Sequence, residues 1–147
     1  MEETHDYRLD RSKWPEGPWD REPDDKVNWI DQETNLDCMI LRNGRGAWCG
    51  YVGLPPGHRH HGVEYGELYS FYNDVHGGLT FSDSCSGHIC HVPEPGRPDN
   101  VWWLGFDCSH SWDRAPDDYG WRSGTYRTQE YVKKEVEMLA QLVSAFR

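Results

Sequence analysis

The segment that most constrains the fold is a long amphipathic stretch late in the chain. From Gln129 to Phe146 the apolar residues recur at steps of four and three. They are Val132, Val136, Leu139, Val143 and Phe146. This spacing places them on one face of an α-helix. Thr128 is positioned to cap that helix, and Glu130 lies in the first turn, where the helix dipole favours an acidic group. The sequence therefore predicts one long helix whose apolar face must cover another layer.

The apolar runs upstream of this helix predict the other layer, a β-sheet. Cys38 to Arg42 and Ala47 to Leu54 flank the turn sequence Asn43-Gly44-Arg45-Gly46, which indicates a hairpin. Val101 to Phe106 is the most hydrophobic run, and it predicts a central strand buried on both faces or nearly so. We expect an α+β domain, an antiparallel β-sheet with the long C-terminal amphipathic helix packed on it.

A further strand is predicted at Val75 to Phe81, interrupted by the pair Gly77-Gly78. A glycine pair inside a strand usually marks a bulge, or a close approach by another backbone or a ligand. The pair is therefore a candidate point of contact with a ligand.

The chain has 147 residues, which is the size of one ordinary domain. Residues 1–25 are charged and contain three prolines, so we expect an irregular N-terminal arm, followed by a single domain over residues 26–147. Trp14 and Trp19 are expected to staple this arm onto the domain. We see no secretory signal and no apolar run near the roughly 20 residues that a membrane span needs. The expected location is the cytoplasm.

Charge and aromatic content limit the partners. The formal net charge of -10 disfavours long polyanions such as duplex nucleic acid. Residues 1–37 carry 12 acidic and 5 basic side chains, so the total says little about any one pocket. Eight Trp and eight Tyr exceed what a small core requires. Such side chains suit base stacking and subunit interfaces.

The cysteines and loop histidines raise the question of a metal. Five cysteines without a repeated spacing argue against a disulfide framework, so we expect most of them to be reduced and buried. Residues 85–91 read CSGHICH, and Cys108 and His110 end the strand at 101–106, but C-x4-C is a poor match to a structural zinc site. His58, His60 and His61 follow Pro55-Pro56-Gly57 and are expected in a solvated loop.

A cysteine nucleophile is a second alternative. Cys108 or Cys85 could pair with a nearby histidine. The candidates are His76, His88 and His110. No nucleophile elbow or helix N-terminus activates either thiol, so this reading is not favoured.

Two carboxylates follow the strand at 101–106 and leave two further readings open. Asp107 and Asp113, with His110 between them, could hold a divalent ion or do acid–base work in a small hydrolase. Alternatively, the carboxylates bond loop amides, as Asp commonly does in turns. A buried Asp107 would need a partner such as Arg122, Arg127 or a ligand hydroxyl.

The interpretation we favour is a ligand pocket without chemistry. Nucleotide binding needs aromatic faces for the base, acceptors for ribose hydroxyls and arginine forks for phosphates. The candidate ligand-binding residues are His76, Phe81, Asp107, His110, Trp112, Arg122, Tyr126 and Arg127. Backbone amides at the N-terminus of the predicted helix could add to anion binding. No phosphate-cradling glycine loop is present, so no ATP-driven or hydride chemistry, no cofactor and no resident metal are expected.

Five segments in this order resemble the first Thoeris anti-defence family, phage proteins that sequester the cyclic ADP-ribose signals made by bacterial TIR enzymes. The resemblance runs over most of the chain from Gly17 onward. The segments are GPWDREPD, AWCGYVGLPPGH, VHGGLTFS, WWLGFDCSHSWD and YRTQEYVKKEVEMLAQL. It implies an α+β protomer, oligomers built from dimers, pockets between protomers and release of intact ligand.

The resemblance also implies where the ligand lies. VHGGLTFS, GFDCSH and YRT would lie near the ligand or the dimer contact, in the cytoplasm of a bacterial host. The chain departs from the family by carrying Ser111-Trp112 where small residues are expected, so Trp112 is not carried over as a shared ligand contact. The family is also linked with cyclic oligonucleotide signals. The alternatives that remain are a metal-dependent hydrolase using Asp107, His110 and Asp113, and a protein-binding phage accessory anchored by its tryptophans.

Overall fold

A computed structural model describes residues 3–4, 7–90, 100–117 and 124–146. They form one six-stranded antiparallel sheet with a long helix, which confirms the α+β prediction. The strands are β1 Glu3–Thr4, β2 Lys26–Ile30, β3 Asp37–Arg42, β4 Trp48–Leu54, β5 Phe81–Ser84 and β6 Trp102–Asp107, in the order β1-β2-β3-β4-β6-β5. The helices are α1 Tyr69–Tyr72 and α2 Gln129–Ser144, with one-turn 3₁₀ helices at Pro18–Arg21 and Tyr65–Glu67.

The predicted hairpin is confirmed by β3 and β4. Arg42 pairs with Trp48 at the end of the ladder, and the turn between them is held by the Asn43 side chain, which accepts from the amides of Arg45 and Ala47. The positive φ that this turn needs is at Gly46, at +87°. β6 then pairs with β4, so it lies one strand from the sheet edge and is buried along nearly its whole length.

Helix α2 packs across β3 and β4 and closes the main core. The predicted apolar face is confirmed, with Phe146 only partly buried. Its buried residues are Val132, Val136, Leu139, Ala140 and Val143. Gly50 in β4 has no side chain because Phe106 and Val136 occupy the space where a Cβ would lie. The Thr128 hydroxyl accepts from the Tyr131 amide at 3.2 Å, as expected of the cap. Within the described ranges, no helix is long and apolar enough to cross a bilayer.

The opposite face of the sheet carries a second, smaller core, which is covered by the loop after β5. Cys85 and Cys90 form a disulfide in this loop, a pairing that the spacing of the cysteines did not predict. The turn between them is closed by mutual backbone hydrogen bonds of Ser86 and Ile89, which bring the two thiols together. The three other cysteines are free and buried, as expected.

The N-terminal arm is fixed to the domain through buried charges. Trp19 is buried, so its predicted stapling role is confirmed. The fully buried guanidinium of Arg42 pairs with Glu22 at 2.9 Å and with Asp25 at 3.2 Å. Asp25 also pairs with Arg11 of the arm. Because an isolated buried charge is costly, these pairs make the arm part of the fold.

Two local predictions are wrong. Residues 75–80 are not a strand: they form a tight turn with Gly77 and Gly78 at φ +69° and +78°, and β5 begins only at Phe81. His58 and His60 are buried rather than solvated. Nε2 of His58 donates to the Val143 carbonyl at 2.8 Å, a carbonyl in the last turn of α2 that also accepts from the Phe146 amide.

Candidate functional site

The strand end, the turn at 75–78 and the start of α2 meet around one buried carboxylate. Asp113 is 3% exposed. His76 Nε2 lies 2.9 Å from both of its oxygens, His110 Nδ1 lies 3.1 Å from Oδ2, and Arg127 Nε lies 2.8 Å from Oδ1. The backbone amide of His110 also donates to Oδ2 at 3.1 Å. We call these four residues the Asp113 cluster.

Local backbone geometry brings the four residues together. After β6 the chain turns, and the Asp113 amide donates to the His110 carbonyl at 2.9 Å. Asp113 then pairs with Thr125 in an isolated parallel bridge, which holds the segment before α2 against the turn. Arg127 comes directly before the Thr128 cap, so its side chain reaches back to Asp113.

His76 is held from both sides. The Tyr131 hydroxyl lies 2.7 Å from its Nδ1, and Glu135 Oε1 accepts from its backbone amide at 2.8 Å. Because Asp113 can only accept when ionised, the hydrogen bonds place the His76 proton on Nε2, with Tyr131 donating to Nδ1. Two residues of α2 therefore fix the ring that points at Asp113.

The electrostatics favour an ionised Asp113. Burial tends to raise the pKa of its carboxyl, but the hydrogen bonds from His76, Arg127 and His110 outweigh burial and lower that pKa. The same hydrogen bond to Asp113 raises the pKa of Arg127. The cluster thus holds a buried carboxylate together with a fixed guanidinium.

An exposed aromatic surface adjoins this buried charge. The Trp112 ring stacks on the His110 imidazole at 4.6 Å and 4°, and it remains 51% exposed. Arg127 uses its Nε on Asp113, and no described residue accepts from its terminal amino groups. An aromatic face, a guanidinium and an imidazole edge therefore occupy one side of the molecule.

No family model, curated protein or solved structure matches this chain.

The cluster unites three of the predicted ligand-binding residues, His76, His110 and Arg127, with Trp112 stacked beside them. Asp107 lies at the rim, with its Oδ1 3.9 Å from His110 Nδ1 and its Oδ2 accepting from Thr80 at 2.9 Å. A second group of predicted residues lies elsewhere.

Phe81 and Tyr126 make their ring contacts away from the cluster, and Arg122 falls outside the described residues. Phe81 packs edge-on against Tyr51 in the second core. Tyr126 packs against Trp19 and donates to Glu22, at the junction with the arm.

The expected anion site at the start of α2 is filled by the protein itself. Glu22 Oε2 accepts from the Gln129 amide at 2.8 Å. Its Oε1 accepts from Trp48 Nε1 at 3.3 Å. The arm thus supplies the anion that a free helix N-terminus would attract, so this terminus does not add to ligand binding.

The cysteine readings are not supported by the geometry. Burial, with the nearby Asp113 carboxylate, raises the pKa of the Cys108 thiol and keeps it protonated, so it is a poor nucleophile. Cys85 is consumed in the disulfide. Cys90 is consumed in the same disulfide and His91 lies outside the described residues, so within the described part of the chain His88 is the one group of CSGHICH left for zinc.

Sequence reasoning missed two residues that hold the cluster in place. It named Asp113 as a turn residue or a hydrolase residue, but it assigned no role to Tyr131 or Glu135. The last two lie four residues apart on α2, at positions between the buried stripe and solvent. The signal available in the sequence was this pair of polar residues, four positions apart and next to the apolar face of the predicted helix.

Proposed function

We propose that this protein binds a cyclic ADP-ribose-type signal and sequesters it without cleaving it, as a phage anti-defence protein in the bacterial cytoplasm. The proposed ligands also include cyclic oligonucleotide signals. The observation that carries it is the half-exposed Trp112 stacked on His110 beside the guanidinium of Arg127. The sequence resemblance to the first Thoeris anti-defence family supports it independently.

Each part of such a ligand has a counterpart. The open face of Trp112 suits the adenine ring, since base stacking on an aromatic side chain contributes about 1–3 kcal/mol. The terminal amino groups of Arg127 suit a phosphate, and the partly exposed Asp107 carboxylate suits a ribose hydroxyl. Asp113 keeps Arg127 oriented, so little side-chain entropy is lost when the phosphate binds.

Binding without chemistry fits the state of the polar groups. Asp113 accepts four separate N–H groups and has no exposed side-chain surface, so it is unavailable as a nucleophile. The buried Cys108 thiol is equally unavailable. A ligand that is enclosed and released slowly, without being cleaved, requires no reaction at Asp113 or Cys108.

The partner that completes the pocket is proposed to be a second copy of this chain. Among the described residues, the exposed large apolar side chains are Tyr69, Phe71 and Trp112. Gly78 packs against the Tyr69 ring and Gly77 against the His110 ring, so Tyr69 and Trp112 flank the same turn. A contact between protomers over this turn would enclose the ligand, in agreement with the dimer-based oligomers that the resemblance implies.

The test is a native mass measurement with a panel of cyclic nucleotides, followed by heating and chromatography of the released compound. We expect an oligomer with bound nucleotide that is recovered unaltered. Ligand at 100 times its dissociation constant should add about 2.7 kcal/mol to stability. If no nucleotide shifts the melting temperature, the protein is better described as a protein-binding accessory.

A matched pair of variants locates the binding surface. Trp112→Ala should weaken binding by about 1–3 kcal/mol through the lost stacking. Its melting temperature without ligand should stay nearly the same, because the ring is half exposed. Phe71→Ala removes another exposed aromatic ring, one that packs on Phe146, and should leave affinity unchanged. Equal affinities for the two variants would remove Trp112 from the site.

One observation favours a small hydrolase as the second candidate. Nδ1 of His110 pairs with Asp113, and no described residue bonds its Nε2. An imidazole that is oriented by a carboxylate and has no hydrogen bond on its second nitrogen is the arrangement of a general base, and Asp107 lies close to it. If cleaved nucleotide is recovered from the wild type but not from His110→Gln, the protein is a hydrolase and the sequestration proposal is wrong.

A further inference from the structure

We propose that His76, His110 and Asp113 bind one divalent transition metal ion of the zinc class. The proposal concerns an ion rather than a nucleotide, and it stands or falls independently of the proposed function. It goes beyond the hydrolase alternative because it needs no turnover, and because it takes His76 from a different loop as a ligand.

The ligand atoms are already gathered. One atom from each of the three side chains lies within 4.8 Å of the others. His76 Nε2 and His110 Nδ1 lie 2.9 and 3.1 Å from Asp113 Oδ2. In a tetrahedral site with bonds of about 2.0–2.2 Å, neighbouring ligand atoms are about 3.3–3.6 Å apart. The two imidazole-to-carboxylate distances would therefore lengthen by a few tenths of an ångström, and the two ring nitrogens, which lie within 4.8 Å of each other, would turn toward a common point.

The donor set selects the class of metal. Two imidazole nitrogens and one carboxylate suit zinc, cobalt, nickel or iron, whereas magnesium and calcium prefer oxygen ligands alone. Asp107 Oδ1 lies 3.9 Å from His110 Nδ1 and is a candidate fourth ligand. A water molecule or a phosphate oxygen could take that position instead.

The second layer of contacts fits metal binding. Tyr131 lies on the far nitrogen of His76, and Arg127 holds the oxygen of Asp113 opposite His110. Such outer partners orient metal ligands. On metal binding each neutral imidazole keeps one proton. The His76 proton moves from Nε2 to Nδ1 and is donated to the Tyr131 oxygen. The His110 proton moves from Nδ1 to Nε2. No net proton is lost.

The site is reachable from outside. The Asp113 side chain is fully buried, but the side chains of His110 and Asp107 are 20% and 32% exposed. An ion can therefore enter along the His110 edge. Arg127 contributes a positive charge nearby, which predicts moderate rather than extreme affinity.

The experiment uses the full chain freed of metal by a chelator and titrated with Co²⁺, whose visible absorption reports nitrogen and oxygen ligands in low-symmetry geometry. We expect one equivalent to give strong visible bands and Zn²⁺ to abolish them. His110→Gln should lower Co²⁺ affinity at least tenfold. Absence of bands in the wild type would overturn the proposal.

A matched control separates this site from the rest of the chain. His88→Gln removes an exposed imidazole in the disulfide loop on the opposite face of the sheet and should bind Co²⁺ like the wild type. If His88→Gln loses the bands and His110→Gln keeps them, the ion binds elsewhere and the proposal is wrong. His110 is partly exposed, so its variant should fold, and circular dichroism checks this. The assay contains no nucleotide, so its failure leaves the sequestration proposal untouched.

Discussion

The backbone of Gly77 lies directly against the imidazole of His110. A Cβ at Gly77 would fall well inside 3.0 Å of that ring, and the φ of Gly77 is +69°. The sequence predicted a bulge, or a close approach by another backbone or a ligand, at this glycine pair; the group that approaches Gly77 is instead a side chain of the same protein. Only glycine leaves room for His110 to reach Asp113.

We expect Gly77→Ala to destabilise the protein and to displace His110. Gly62→Ala is the matched control, because Gly62 has a φ of +84° and open space around it. Gly62→Ala should cost about 1–2 kcal/mol for the left-handed backbone alone. Gly77→Ala should cost about 1–3 kcal/mol more, because the methyl group overpacks the site. Urea unfolding measures both, and equal losses would contradict the close packing.

Acid should unfold the protein partly through Asp113. Its carboxyl faces His76, His110 and Arg127, and its pKa is lowered in the folded state. The resulting stability is complete above the unfolded pKa of about 3.9 and is lost as the pH falls through the lower folded value. Asp113→Asn should therefore show a flatter fall of melting temperature below about pH 4 than the wild type. Parallel curves would show that Asp113 titrates normally.

Glu22 should matter more than its place in an irregular arm suggests. It pairs with the buried Arg42 and accepts the Gln129 amide at the start of α2. Glu22→Gln should cost about 1.5–3 kcal/mol, the range for hydrogen bonds to charged groups. Glu130→Gln, which removes an exposed acid from the same helix turn, should cost under about 1 kcal/mol. Urea unfolding compares them, and a loss no greater for Glu22 than for Glu130 would contradict this role.

The buried His58 should stabilise the end of α2. It donates to the Val143 carbonyl, and its Nδ1 accepts from the His60 amide at 2.9 Å. His58→Ala leaves the buried His60 amide without its acceptor, whereas the Val143 carbonyl keeps the Phe146 amide, so we expect a loss of about 1–3 kcal/mol. His61→Ala breaks one exposed bond to the Asn100 carbonyl and should cost less. Amide exchange at the last turn of α2 is the second measurement, and it should accelerate only in His58→Ala.

Elements with a strong local period were predictable from the sequence. The spacing of Val132, Val136, Leu139 and Val143 indicated α2, and the turn after Arg42 indicated the hairpin, because both patterns depend on neighbours within a few residues. The strand predicted at residues 75–81 was wrong because two glycines with positive φ form a turn there.

The errors about sites have a different cause. His58 looked exposed because it follows Pro-Pro-Gly, but its partner Val143 is 85 positions away. His76 and Asp113 are 37 positions apart, and no periodicity relates them. Residue type made His76, His110 and Arg127 candidate binding groups, whereas only the folded chain could join them through Asp113.

The contact between Glu22 and Gln129 has a consequence for biosynthesis. The two residues are 107 positions apart, so the acidic side chain leaves the ribosome long before the amide it will bond. Until that amide has been translated, Arg42 can pair with Asp25, but no helix covers the hairpin. The bond from Gln129 to Glu22 and the closing of the main core by α2 can therefore form only after the final helix has been translated.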